Sequence, residues 1–172
     1  MAPSEALAIE RLGAADVDAA LRLSDAARWN QTADDWMHFI AHGDAFAIRD
    51  DADGLVATAA ALPYGLAVGW ISMVLVDERH RHRGLATRLL AACVDALRGT
   101  GRVAVLDATP DGAAVYRQHG FASGFAFERW QRDGPSSAEA RTHGQRASTA
   151  DGPGTAASEV LAAQMPAALE PW

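Results

Sequence analysis

At 172 residues, 49% of them hydrophobic and 22% charged, the chain is long enough to bury one sizeable core and is too apolar to stay disordered. A net charge of −7 argues against general nucleic-acid binding, no apolar run approaches the ~20 residues of a membrane-spanning helix, and the single cysteine, Cys93, excludes an internal disulfide. All 15 basic residues are arginine, which excludes Schiff-base lysine chemistry and the lysine of a nucleotide-binding P-loop.

The opening MAPSEALAIE lacks a secretory pattern, so a soluble, cytoplasmic protein is expected. Ala6 to Arg11 reads as a short strand. Ala14 to Arg28 follows as a helix, with Val17, Ala20, Leu21 and Leu23 at helical spacing. Thr32 is the expected N-cap of a second helix whose first turn carries Asp34 and Asp35. Ala45 to Arg49 and Leu55 to Leu62 read as strands joined by the polar hairpin loop Asp50 to Gly54. Pro63-Tyr64-Gly65 reads as a turn. Trp70 to Val76 is a nearly continuous apolar strand, expected to be buried on both faces.

Leu85 to Arg98 is the clearest helix, with Leu85, Leu89, Leu90, Cys93, Val94 and Leu97 on one stripe and Gly99 at its end. Val103 to Ala108 reads as a strand, and Thr109-Pro110-Asp111 opens a helix that stops at Gly120. Phe125 to Gln131 is the last expected strand. Residues 1–132 thus form the expected domain, 133–157 a Gly/Ser/Thr/Ala/Pro-rich linker, and 158–172 a short Ala-rich helix or the start of a second lobe.

The chemistry concentrates between the apolar strand and the long helix. Arg79-His80-Arg81-His82-Arg83, then Gly84 and Arg88, is a strongly basic run in an acidic chain, placed where a helix begins. The first turn of a helix offers N–H groups and partial positive charge to an anion. Gly84 permits close backbone approach, and arginine suits phosphate oxygens. A diphosphate fits that chemistry, whereas a solvated basic loop is what charge alone would suggest.

Val76-Asp77-Glu78-Arg79-His80-Arg81-His82-Arg83-Gly84-Leu85-Ala86 resembles the acetyl-CoA motif of the GNAT acyltransferase superfamily, with Arg81, Gly84 and Ala86 at its defining places and Glu78 where members often have proline. Ala114 to Phe121 resembles the family helix that carries a tyrosine ahead of a Gly-Phe pair. The resemblance covers about residues 7 to 131 and is nearest to a bacterial subgroup resembling the N-terminal lobe of two-lobed members. It implies an α/β fold with a central, mostly antiparallel mixed sheet flanked by helices. It also implies N-acetyl transfer from acetyl-CoA as co-substrate to an amine acceptor. On that resemblance, Val74, Leu75 and Val76 pair with the pantetheine arm, and the backbone of Arg81, His82, Arg83, Gly84, Leu85, Ala86 and Thr87 holds the diphosphate. Tyr116 then acts as the general acid that protonates the leaving thiolate. The early helices imply an acceptor wall at Trp29, Asn30, Gln31 and Trp36.

Some family members place a glutamate base on the strand before the loop, where this chain has Trp70. Glu78, Asp107 and Glu128 are the alternative proton relays, and the sequence does not rank them. A CoA-binding sensor without transferase activity is the alternative reading of that substitution. No metal is expected: His38 and His42 have helical ligand spacing but no third partner. Gly99-Thr100-Gly101 precedes a strand, the wrong order for a dinucleotide fingerprint. Neither nucleic acid nor membrane is an expected partner, a homodimer is compatible with the sequence, and the acceptor's identity stays open.

Overall fold

A computed structural model describes residues 7–108, 110–130 and 155–163. The elements in chain order are β1 (Ile9–Arg11), a 3-10 turn (Ala14–Asp16), α1 (Val17–Ala26), α2 (Ala33–His42), β2 (Asp44–Asp50), β3 (Gly54–Tyr64) and β4 (Val68–Val76). A second 3-10 turn (Glu78–His80) follows, then α3 (Leu85–Gly99), β5 (Val103–Ala108), α4 (Pro110–Gln118), β6 (Phe121–Trp130) and β7 (Thr155–Ala163). The strands form one sheet ordered β1-β2-β3-β4-β5-β7-β6. Only the β4–β5 pair is parallel, which gives the expected mixed, mostly antiparallel sheet. No helix among the described residues is long and apolar enough to cross a membrane.

β3 is the centre of the molecule because it is buried from Val56 to Leu62. Its alanines alternate between two cores. Ala57, Ala59 and Ala61 pack with the α3 stripe (Leu85, Leu89, Cys93), while Ala60 packs with Ala45, Ala47 and Trp36 under α1 and α2. Small side chains let both helical layers approach closely. Gly69 shows how closely: a Cβ there would lie 2.1 Å from Leu97 Cδ2 of α3. Cys93 is fully buried on that stripe, and desolvation pushes its thiol up to about 12, so it is a small inert hydrophobe. Thr32 caps α2 as expected: the Asp35 N–H donates to its hydroxyl at 3.3 Å, and the Thr32 N–H donates back to the Asp35 carboxylate at 2.7 Å.

Several boundaries differ from the sequence reading. β3 runs through Pro63 and Tyr64, paired with Gly69 and Val68, so the turn falls at Gly65 to Ala67. β6 begins at Phe121, with a register shift at Ser123/Phe125 that absorbs Gly124. The largest correction is the helix expected from Ser158, because Thr155–Ala163 is a strand between β5 and β6. Alanine favours helix locally, but this slot supplies ladder partners on both sides, with Val160 and Leu161 buried. The sheet therefore extends past residue 132, and residues 133–154 of the expected linker lie outside the described residues.

β4 contains the decisive irregularity. Its register with β3 shifts between Thr58 and Ala60, and Met73 takes φ +57°. This bulge reverses the faces of the strand. Ile71 packs in the α3 core, whereas Met73 and Leu75 pack under α1 and α2, and Val74 and Val76 turn toward the α3 side. The buried Thr58 hydroxyl donates to the Met73 carbonyl at 2.9 Å and fixes the kink. The unbroken apolar run has this cause: both faces of β4 are covered, and the bulge interrupts its alternation.

Candidate functional site

Beyond the bulge, β4 leaves β5. The two strands are in register only from Val68 to Ile71 against Val103 to Leu106, while Asp107 and Ala108 of β5 pair with β7. The Asp77 N–H donates to the Val56 carbonyl at 2.8 Å, so Asp77 and Leu75 turn their polar backbone toward β3. The alternation of an antiparallel ladder then turns the N–H and C=O groups of Val74 and Val76 into the gap. This half-strand is an edge inside the sheet, ready to pair with an extended ligand.

A cleft of about 310 Å³ lies between this half of β4 and the end of α1, lined by Leu23, Ala26 and Ala27 on one side and Val74 to Val76 on the other. Asp77, Glu78 and Arg81 complete its lining, and the Arg81 guanidinium donates through Nε to the Val76 carbonyl at 3.4 Å.

The chain leaves β4 through Asp77, which caps the 3-10 turn by accepting the Arg79 N–H at 3.0 Å. Arg81 to Gly84 are all exposed, with His82 at φ +60° and Gly84 at φ +72°. Left-handed residues interspersed with ordinary ones turn successive N–H groups to one side, as anion-binding nests do. Gly84 is the N-cap of α3, and the Arg88 N–H, donating to the Gly84 carbonyl, closes its first turn. The N–H groups of Leu85, Ala86 and Thr87 precede that bond, as the first groups of any helix do.

The basic residues divide their work. Arg81, His82 and Arg83 are exposed around the loop. Arg79 binds Asp53 at 2.9 Å and Asp77 at 3.3 Å, and Arg88 donates to the Leu7 carbonyl, tying the chain before β1 to α3. Arg79 and Arg88, two of the six basic residues between positions 79 and 88, are thus engaged within the fold.

Tyr116 lies half-buried on α4, edge-on to Phe121 with ring centroids 6.1 Å apart. It packs against the same core as Val74 and Val76. Burial raises its phenol pKa above the usual value, so it is protonated at neutral pH. The last turn of α4 reaches the first turn of α3, with His119 Nε2 3.4 Å from Thr87 Oγ1. The tyrosine helix thus packs on the same core as the strand edge and touches the first turn of α3, while Tyr116 itself is not among the residues lining the cleft.

The remaining residues divide. Trp29 and Asn30 are exposed, and Gln31 is partly buried. None of the three is among the residues lining the cleft, whose helical wall is Leu23, Ala26 and Ala27. Leu23, Ala26 and Ala27 continue the apolar stripe of α1, so nothing in the sequence sets them apart from core positions. Trp36 is a correction: it is 0% exposed, its indole N–H donates to Ser24 Oγ at 3.3 Å, and it offers no surface to an acceptor. Of the proton relays, Glu78 lies at the cleft, Asp107 is half-buried on β5, and the side chain of Glu128 lies outside the described residues. His38 and His42 lie next to one another on α2, their rings tilted by 52° with centroids 4.8 Å apart. A different trio, Asp50, Asp53 and His80, brings one ligand-type atom each within 4.8 Å of the others.

Residues 15–121 match the model of the acetyltransferase (GNAT) family. No curated protein matches the sequence. Among solved structures, Ard1 from Thermoplasma volcanium superposes with TM-score 0.68 at 14% identity, covering 92% of this chain and 97% of that one. The ribosomal-protein-S18-alanine N-acetyltransferase from Escherichia coli gives TM-score 0.67 at 15% identity, covering 96% and 99%. N-acetylglutamate synthase from Neisseria gonorrhoeae, complexed with coenzyme A and N-acetyl-glutamate, gives TM-score 0.67 at 16% identity over 93% of this chain and 35% of that one. At these identities the likeness establishes a common fold.

Proposed function

The chain belongs to the acetyltransferase (GNAT) family, whose members use acetyl-CoA, and on that premise we propose direct acetyl transfer to an amine with Tyr116 as the general acid. One observation supports the reading: the half of β4 that has left β5 runs directly into an exposed loop with left-handed His82 and Gly84 and then into the N-terminus of α3. The pantetheine arm pairs with the gap-facing backbone of Val74 and Val76, and the N–H groups from His82 to Thr87 receive the diphosphate. The Arg81 guanidinium, which donates to the Val76 carbonyl, lies beside that edge and exchanges this bond for one to the diphosphate when the arm pairs there. A backbone N–H of the Val74 to Val76 edge polarises the thioester carbonyl.

The acceptor first loses its ammonium proton to water, the neutral amine nitrogen then forms the new C–N bond, and the C–S bond breaks with its electron pair on sulfur. The Tyr116 phenol gives its proton to that sulfur, and the nitrogen's surplus proton leaves to water, from which the phenol is reloaded. Glu78, the exposed carboxylate at the cleft, attracts the acceptor in its cationic form.

Calorimetric titration with acetyl-CoA tests the site, using wild type and Gly84→Glu. Gly84 has φ +72°, and a carboxylate there adds backbone strain and repels the diphosphate. Micromolar binding by wild type and loss of at least ~10-fold in affinity in the variant are expected. Equal binding by both would remove the loop from the site.

A further inference from the structure

His80 is the most buried polar group near the loop, at 4% exposure, although it sits inside a run of exposed arginines. Its Nδ1 lies 3.4 Å from Asp77 Oδ1, and its Nε2 lies 3.3 Å from Asp53 Oδ2 and 3.8 Å from Asp50 Oδ2. Asp50 and Asp53 belong to the β2–β3 hairpin turn, held by the Ala52 N–H donating to Asp50 Oδ1 at 3.0 Å. Arg79 adds a second bond across the same seam, to Asp53. The imidazole therefore stands between two segments far apart in sequence, the hairpin tip and the turn that leaves β4.

Its position along the chain gives that contact a consequence. The four exposed residues Arg81 to Gly84 are suspended between two buried anchors, His80 and Leu85, each 4% exposed. Leu85 is held by the α3 core, whereas the side chain of His80 is bounded by the carboxylates of the hairpin and Asp77. A short loop whose N–H groups must converge on an anion is sensitive to slack at either end.

We propose that His80 is a positioning residue for the cofactor loop, clasping the β2–β3 hairpin so that residues 81–84 keep their anion-binding conformation. The inference rests on the diphosphate reading of that loop. It assigns Asp50, at the end of β2, and Asp53, in the turn before β3, to the support of the site. It also explains why the histidine is buried while its neighbours are not.

The test is the affinity of the full chain for acetyl-CoA, measured calorimetrically, with thermal stability recorded in parallel. His80→Ala is expected to weaken binding about ten-fold, and His80→Gln, whose amide replaces the Nε2 donor, to recover most of it. Asp53→Asn breaks the clasp from the hairpin side and serves if His80→Ala does not fold. Its loss is expected not to add to that of His80→Ala in the double variant, because both remove one contact. Unchanged affinity in His80→Ala and Asp53→Asn, fully additive losses, or a Gln variant as weak as Ala would each overturn the clasp. So would wild-type affinity that falls on chelator treatment, since the Asp50, Asp53 and His80 atoms would then be bridged by a cation. Absence of binding by wild type would bring down the diphosphate reading itself, an outcome distinct from equal binding by wild type and variants.

Discussion

At the residue scale, Tyr116 and His80 show what a side chain's neighbours add to its type. A phenol is a weak acid wherever it lies, but burial beside Phe121 raises its pKa further, so the proton stays on it through neutral pH. In the proposed mechanism the protonated form is the active one, so activity due to Tyr116 would be retained below its pKa and lost as pH rises through it. Any falling limb from this group then lies above the ordinary value of 10.0. Tyr116→Phe is expected to lower kcat about a hundred-fold while leaving acetyl-CoA affinity within about two-fold, the pattern of a group used only in the chemical step. Steady-state rates on an identified amine, with calorimetry on acetyl-CoA, separate the two quantities, and parallel losses in both would make Tyr116 a packing residue. His80 carries the opposite lesson. In sequence it is one of five basic residues in a row, and only the returning hairpin shows that its partners are carboxylates.

At the element scale, β4 matters most, and its bulge decides where the site lies. A left-handed φ at Met73 is costly for a residue with a side chain, and the Thr58 hydroxyl on the Met73 carbonyl is the bond that compensates it. Thr58→Val keeps the shape and removes the donor, leaving a buried carbonyl unpaired at a cost of about 1–3 kcal/mol. The expected result is a Tm lower by roughly 3–8 °C, with weaker acetyl-CoA binding as the Val74–Val76 edge relaxes. Thr58→Ser retains the donor and should bind like wild type. If Thr58→Val bound and melted like Thr58→Ser, the hydroxyl would have no part in holding the edge.

At the scale of the whole molecule, β7 closes the sheet. It lies between β5 and β6, paired to both, and buries Val160 and Leu161. A chain ended at residue 132 would open the edge of β5 at Val105 to Ala108 and the whole inner edge of β6, leaving unpaired ladder groups beside an apolar hole. Such a fragment is expected to show no cooperative thermal transition and to aggregate, as followed by circular dichroism and light scattering. A fragment as stable as the full chain would mean that β7 is dispensable and that the boundary drawn from composition was the right one.

The sequence by itself determined the elements whose cause is local. The α3 stripe from Leu85 to Leu97, the Thr32 cap and the strand Val103 to Ala108 are written in periodicity and capping chemistry, and they are found where expected. The loop at Arg81 to Gly84 was legible for the same reason, because a glycine at a helix start after an apolar strand is a local pattern. What depended on distant partners was not legible. Trp36 looks like a surface aromatic until Ser24 and two helices enclose it, and the residues Thr155 to Ala163 look helical until β5 and β6 offer them hydrogen bonds. The bulge at Met73 is invisible for a related reason: a uniformly apolar run carries no alternation in which an inserted residue could show. Tertiary structure alone decided which arginines are spent on Asp53 and Leu7, because such a contact depends on separation in space and the sequence records only separation along the chain.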